Sequence, residues 1–113
     1  MPITIDKPSK YFNTLLYTGN GSTQNINCGF VGSARFILIK KSEGGGGNWL
    51  VFDSARGITA GNDPVLTLNT TAAETNTTDL VNANTGGFQV VSPGGGLNDP
   101  NENSCTYIFL AIA

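Results

Sequence analysis

Residues 48–74 read NWLVFDSARGITAGNDPVLTLNTTAAE, and this stretch shows the alternation of strand and turn that runs through the chain. Its two apolar runs, residues 49–53 and 65–69, have the composition of short strands. Between them lies Gly61-Asn62-Asp63-Pro64, whose residue types tolerate left-handed backbone or fix a turn. This order of elements predicts an antiparallel β fold.

The same pattern extends on both sides of this stretch. The predicted strands are residues 3–5, 12–18, 23–27, 35–40, 49–53, 65–69, 88–92 and 106–112. Glycine-rich turns, among them residues 44–47 and 93–96, separate the strands. We therefore expect an all-β domain, either an antiparallel β-sandwich or a jelly-roll-like barrel of about seven or eight short strands.

The run at residues 35–40 carries apolar side chains on both of its faces. Phe36 and Leu38 alternate with Ile37 and Ile39, and the run at residues 106–112 has the same character. Such two-sided strands are typical of positions covered on both faces. We expect both strands to lie centrally in the sheet, with a layer packed on each side.

Helical periodicity is nearly absent from the chain. Only residues 71–79 are compatible with a helix, where Thr71 and Glu74 have the spacing of a capping box. The threonines that follow propagate a helix poorly. The sequence therefore predicts at most one short helical turn.

Length and composition limit the classes of function. A chain of 113 residues suits one domain, and its 12% of charged residues is well below the roughly 25% of an average soluble protein. The formal net charge of −2 argues against nucleic acid as a partner. No apolar run approaches the ~18 residues of a membrane span, so we expect no membrane insertion.

The sequence offers little for catalysis, and we expect no enzymatic activity, no catalytic residues and no cofactor. Histidine is absent, and the carboxylates have no local spacing typical of a glycosidase pair. The segment from Asp99 to Asn103 imitates the start of a calcium loop. However, Ser104 replaces the turn glycine and Leu110 replaces the bidentate glutamate. We expect a turn whose side chains bond their own backbone, and no metal site.

The two cysteines, Cys28 and Cys105, lie in apolar, strand-like surroundings. Two cysteines far apart in sequence form no disulfide framework. We expect buried, reduced thiols.

Asp53-Ser54-Ala55-Arg56-Gly57 allows two interpretations. In the first, Asp53 and Arg56 pair within a turn that ends a strand. In the second, Asp53 and Arg56 bind a glycan, with Trp49 or Phe52 as the stacking surface. The first is favoured, because such turns are common at strand ends.

The first eleven residues form a separate segment before a β-domain at residues 12–113. Proline at two positions favours extended backbone. This segment is predicted either to be an arm that adds to a neighbour's sheet or to be a first strand folded onto its own domain. In the arm interpretation, the partner-binding residues are Pro2, Ile3, Ile5, Lys7, Pro8 and Tyr11.

Motifs spread over almost the whole chain resemble a β-domain of marine bacteriophage virion proteins, often tail-fibre-like. They begin with DKPSKYF (residues 6–12), YTGNGSTQ (17–24) and FILIK (36–40), followed by a tryptophan-to-glycine segment (49–57). NTTAAE (69–74), GFQV (87–90) and the aromatic strand at residues 107–113 complete the pattern.

The resemblance implies a structural protein of the virion surface that is assembled in the host cytoplasm. It would be a head decoration protein or a surface-appendage subunit, in contact with other virion proteins and forming a homo-oligomer, with a trimer favoured. The alternative is a tail-fibre receptor-binding module that recognises host surface glycans. The structural role is preferred, because the chain begins with its own predicted arm and carries no stalk repeat.

Overall fold

The computed structural model describes residues 7–113, which form eight strands and one 3₁₀ turn at Pro8–Lys10. The strands are β1 (Phe12–Thr18), β2 (Gln24–Asn27), β3 (Phe36–Glu43), β4 (Leu50–Asp53), β5 (Leu66–Thr67), β6 (Val81–Asn84), β7 (Gly87–Val90) and β8 (Thr106–Ile112). The predicted all-β class is confirmed. The predicted strand at residues 3–5 lies outside the described residues.

The strands form two antiparallel sheets. Five strands pair in the order β1-β8-β3-β4-β5, and three pair in the order β2-β7-β6. The first two strands thus pair with the last two, β1 with β8 in one sheet and β2 with β7 in the other. This nested pairing brings both ends of the domain together and inserts β8 between β1 and β3.

The hydrophobic core lies between the two sheets. Ile37 and Ile39 of β3 and Phe109 of β8 are buried on one side, and Phe88 and Val90 of β7 on the other. The Phe88 and Phe109 rings meet edge to face, with centroids 5.2 Å apart. The strict alternation of buried and less buried positions along β3 and β8 is the period-two pattern of a strand.

Most predicted strands agree with the structure to within a few residues, and β1 and β8 have the predicted bounds. The strand β3 runs on to Glu43, with a register shift between Lys41 and Glu43. The strand β5 is shorter than predicted. Beyond it, the side chain of Asn69 accepts a hydrogen bond from the Trp49 amide (2.9 Å), which replaces a ladder bond.

Strand β6 was not predicted, because its sequence, Val-Asn-Ala-Asn, carries one large apolar residue. It pairs with β7 across the two-residue turn Thr85-Gly86. Gly86 has a φ of +93°, a conformation that side chains disfavour. The turn was therefore the feature of the sequence that could have predicted β6, since a two-residue loop containing glycine is typical of a hairpin.

The described residues contain one short helical turn, the predicted maximum, but it lies at Pro8–Lys10 and not within residues 71–79. Thr75 instead forms an antiparallel bridge with Val65. Glu74 does not bond the Thr71 amide but accepts a hydrogen bond from Arg56 (3.2 Å). Tertiary contacts thus outweigh the weak local preference for a helix.

The prediction that β3 and β8 are covered on both faces is wrong in one respect. Both strands are central in the five-stranded sheet, as expected. The three-stranded sheet covers one face, whereas on the other face Ile108 and Ile112 are exposed. Within residues 7–113, no strand or helix packs on that side.

Cys28 and Cys105 are both buried, as predicted, and neither is in a disulfide within residues 7–113. Burial raises the pKa of the Cys28 thiol to about 11.

Two stacked tyrosines connect the sheet to the turn at residues 99–103. The rings of Tyr17 and Tyr107 stack with centroids 5.1 Å apart. The Tyr17 hydroxyl donates to the Pro100 carbonyl (2.6 Å). The Tyr107 hydroxyl donates to the Asp99 carbonyl (2.8 Å) and accepts from the Glu102 amide (2.9 Å). The predicted Asx turn is confirmed, because the Asn101 amide donates to the Asp99 carboxylate (2.7 Å).

We expect Tyr107→Phe to lower the free energy of unfolding by about 1–3 kcal/mol, because it leaves two backbone groups without their partner. Urea denaturation measures this change. Tyr11→Phe is the matched control, since Tyr11 is exposed, and it should cost less than about 0.5 kcal/mol. Equal effects of the two substitutions would contradict the role assigned to the Tyr107 hydroxyl.

Stability should also fall at alkaline pH. Burial raises the pKa of Tyr17 and of Tyr107 above the ordinary value of 10.0. In the unfolded chain these phenols lose their protons near pH 10, whereas the folded protein retains them. Their contribution is therefore complete below about pH 10 and declines as the pH rises further. Urea unfolding from pH 8 to pH 11 should show this decline, with a shallower slope in Tyr107→Phe. A flat profile would contradict it.

Candidate interaction surface

The outer face of the five-stranded sheet is apolar. One row of side chains crosses all five strands and consists of Thr14, Leu110, Leu38, Val51 and Leu66. A second row consists of Phe12, Ile112, Phe36 and Asp53, and a third of Leu16, Ile108 and Lys40. We call these three rows, together with Trp49 and Leu68 beside them, the outer sheet face.

Several large side chains of the outer sheet face are exposed. Leu16 is 65% exposed and Leu68 is 64% exposed, whereas Ile37 and Ile39 on the inner face of the sheet are fully buried. A shallow depression of about 380 Å³ lies at the centre of the face, lined mainly by Leu16, Leu38, Trp49 and Ile108. The face therefore has a depression into which side chains of another protein surface can pack.

The size of the face is that of an interaction site. Four strand spacings of about 4.8 Å give a width of about 19 Å, and three rows of side chains give a similar length. The projected area is thus roughly 400 Å², within the range of the largest patch on an ordinary monomer, which is often functional.

Charge is confined to two ends of the face. Lys40 stands at the end of one row, and its ammonium group donates to the Lys41 carbonyl (2.8 Å). Asp53 stands at the end of another row and pairs with Arg56 (2.7 Å). The centre of the face is therefore uncharged, as in the cores of protein–protein interfaces.

The Arg56 guanidinium makes three internal contacts beside the C-terminal half of β4. It donates to the carboxylates of Asp53 (2.7 Å) and Glu74 (3.2 Å) and to the Val51 carbonyl (3.0 Å). The Arg56 amide also donates to Asp53 (2.8 Å). Hydrogen bonds from the Arg56 amide and guanidinium lower the pKa of Asp53. This geometry is that of the predicted turn.

Trp49 lies on the outer sheet face, on the same side of the strand as Asp53 but four residues away. Val51 stands between them. Trp49 and Asp53 thus share one face, whereas Arg56 lies in the turn after β4 and its guanidinium bonds to Asp53. Glycan binding by Trp49, Asp53 and Arg56 stays a prediction.

The predicted partner-binding residues fall into two groups. Pro2, Ile3 and Ile5 lie outside the described residues. Lys7 has a left-handed φ of 52°, and Pro8 opens the 3₁₀ turn, so this part of the segment is not extended. Tyr11 is exposed beside Phe12 of the outer sheet face, and its carbonyl accepts a hydrogen bond from the Ala113 amide (2.7 Å).

The buried carboxylates in the described part of the chain are engaged in structure. Asp63 is fully buried and accepts from the amides of Leu80 (2.8 Å) and Val81 (3.0 Å). Burial raises the pKa of Asp63 in spite of these bonds. Glu102 pairs with the buried Lys41.

Among residues 7–113, no cluster of three or more His, Cys, Asp or Glu side chains has the arrangement of a metal site. The same residues include no helix long and apolar enough to cross a bilayer.

A family model matches residues 7–111 and is described as Domain of unknown function (DUF7483). The chain belongs to the DUF7483 family. No curated protein and no solved structure matches the chain.

In this DUF7483 domain, we expect Arg56→Met to lower the free energy of unfolding by about 1–2 kcal/mol, since it removes three bonds but keeps the aliphatic stem. Glu74→Gln is the matched control. Its contact with Arg56 is longer and more exposed, so the cost should be below about 0.5 kcal/mol. Urea denaturation measures both effects. A smaller loss in Arg56→Met than in Glu74→Gln would contradict the structural role assigned to the Arg56 guanidinium.

Proposed function

We propose that the protein is a non-enzymatic structural component that assembles with protein partners, including its own copies, through the outer sheet face. The observation that carries this proposal is the apolar outer side of β3 and β8, with Leu16, Ile108 and Ile112 exposed around it. Strands with this pattern are normally covered on both sides. The second cover therefore comes from outside the described chain.

The energetics suit self-association. The face of roughly 400 Å² is mostly apolar, and its burial contributes at most about 10 kcal/mol per copy at 25 cal/mol per Å². This is comparable with the roughly 4–15 kcal/mol that association costs in lost freedom. The uncharged centre of the face lets identical copies approach without repulsion. A closed symmetric oligomer covers the face in every copy, and we favour a trimer around a common axis.

The sequence resemblance to marine bacteriophage virion proteins supports a setting for this assembly. In that setting the protein is a head decoration protein or a surface-appendage subunit, made in the host cytoplasm and displayed on the virion surface. Its other partners are neighbouring virion proteins. Mass spectrometry of purified particles tests the setting, with many copies per particle as the expected result.

Light scattering after size exclusion tests the assembly itself, and we expect three times the mass of one chain. Leu16→Asp should shift the protein toward monomer, because it buries a carboxylate in the contact. Leu16 is exposed in the single chain, so the substitution should leave the fold intact. Val31→Asp is the matched control, because Val31 is 81% exposed in a loop away from the face. A wild-type monomer at high concentration would contradict the proposal, as would equal effects of both variants.

A further inference from the structure

A second concave site lies away from the outer sheet face. This groove has a volume of about 600 Å³ and runs between residues 75–78, before β6, and residues 93–98, after β7. A smaller hollow of about 140 Å³ shares Asn48, Thr75 and Asn98 with it and lengthens it. We call the two together the polar groove. Its volume lies within the range of ordinary ligand sites.

One wall of the polar groove is a glycine-rich turn that a buried carboxylate holds in place. Asp99 is 3% exposed and accepts hydrogen bonds from the Gly95 amide (2.8 Å) and the Ser92 hydroxyl (2.6 Å). Gly94, Gly95 and Gly96 have φ values of +103°, +106° and +103°. Only glycine adopts this conformation readily, so the turn has a defined shape in spite of its composition.

The opposite wall is held by the second buried aspartate. The Asp63 amide donates to the Thr78 carbonyl (3.0 Å), while its carboxylate binds the start of β6. Val65 and Thr75 exchange two backbone hydrogen bonds (2.9 and 3.3 Å). Both walls are therefore fixed before any ligand arrives, which lowers the entropic cost of binding.

The lining of the groove combines apolar side chains, which supply most of its surface, with polar side chains that bear no exposed charge. Thr75, Thr77 and Thr78 line it, and their hydroxyls bond to no other group within residues 7–113. The Asn48 side chain donates to the Asn98 side-chain oxygen (2.8 Å), and the Asn98 side-chain nitrogen has no partner within the same residues. Leu97, which is 61% exposed, adds an apolar lip.

The side chains that line the groove determine which class of ligand it can bind. Lys and Arg are absent from the lining, and the oxygens of Asp63 already accept backbone amides, so an ionic ligand finds no counter-charge. Hydroxyl and amide side chains donate and accept together, as sugar hydroxyls do. A peptide strand would instead need unpaired backbone groups, whereas Val65 and Thr75 already pair theirs. We propose that the polar groove binds a neutral saccharide, longer than one ring because the smaller hollow extends it.

The first test is titration of the full chain with neutral oligosaccharides of glucose, galactose, mannose and N-acetylglucosamine, followed by amide chemical shifts in NMR spectra. Binding should move the amides of residues 75–78 and 94–98. Thr77→Val with Thr78→Val should weaken it about tenfold, through the loss of two hydrogen bonds. Thr23→Val is the matched control, an exposed threonine outside the groove, and should leave the affinity unchanged.

If the double variant fails to fold, Leu97→Lys at the exposed lip takes its place and should also weaken binding. The proposal is overturned if no sugar binds at up to about 10 mM, a concentration that detects even weak specific sites. It is equally overturned if the groove variants bind as well as the Thr23→Val control, or if a neutral peptide moves these amides and no sugar does. None of these results depends on the oligomeric state, so they are distinguishable from failure of the assembly proposal.

Discussion

The two-sided apolar character of β3 and β8 is the constraint on which the rest of the structure depends. Because side chains alternate along a strand, each of these strands sends bulky groups to both faces of the five-stranded sheet. The inner groups, such as Ile37 and Phe109, form the core with Phe88 and Val90 of the smaller sheet. The three-stranded sheet covers the five-stranded sheet only on that inner side. The unequal sheets therefore give residues 7–113 a packed core, while no strand within that range covers the outer sheet face.

The alternation of strands and turns made the fold class predictable from the sequence. The long strands β1 and β8 were located to the residue, since both are rich in large apolar and aromatic residues. The strand β6 escaped because pairing with β7, rather than its own composition, makes it a strand. The helical turn near Thr71 failed for the same reason, since Arg56 and Val65 draw that segment elsewhere. Local sequence preference determined the strands with a clear apolar pattern. Tertiary contacts determined the conformation of segments without such a pattern.

The two sites were less predictable than the fold. The apolar pattern of residues 35–40 was correctly interpreted as central, but a sequence does not state whether its cover comes from the same chain. The polar groove was harder still, because its walls come from segments that are distant in sequence. Asp63 and Asp99 appeared in the sequence as ordinary turn residues. Their burial and their bonds to backbone amides became apparent only in the folded chain.

The two proposed sites meet at adjacent residues and can act together. Asn48 lines the polar groove, whereas Trp49 lies on the outer sheet face, because consecutive residues of an extended chain point to opposite sides. One segment of the chain thus contributes to both sites without overlap. An oligomer closed through its outer sheet faces leaves each groove open. The several grooves of one oligomer would then bind a repeated sugar surface at once. Weak individual sites gain strength in this way, since each binding event after the first is intramolecular. Assembly through an apolar face is therefore what would make a groove that relies on a few neutral hydrogen bonds effective.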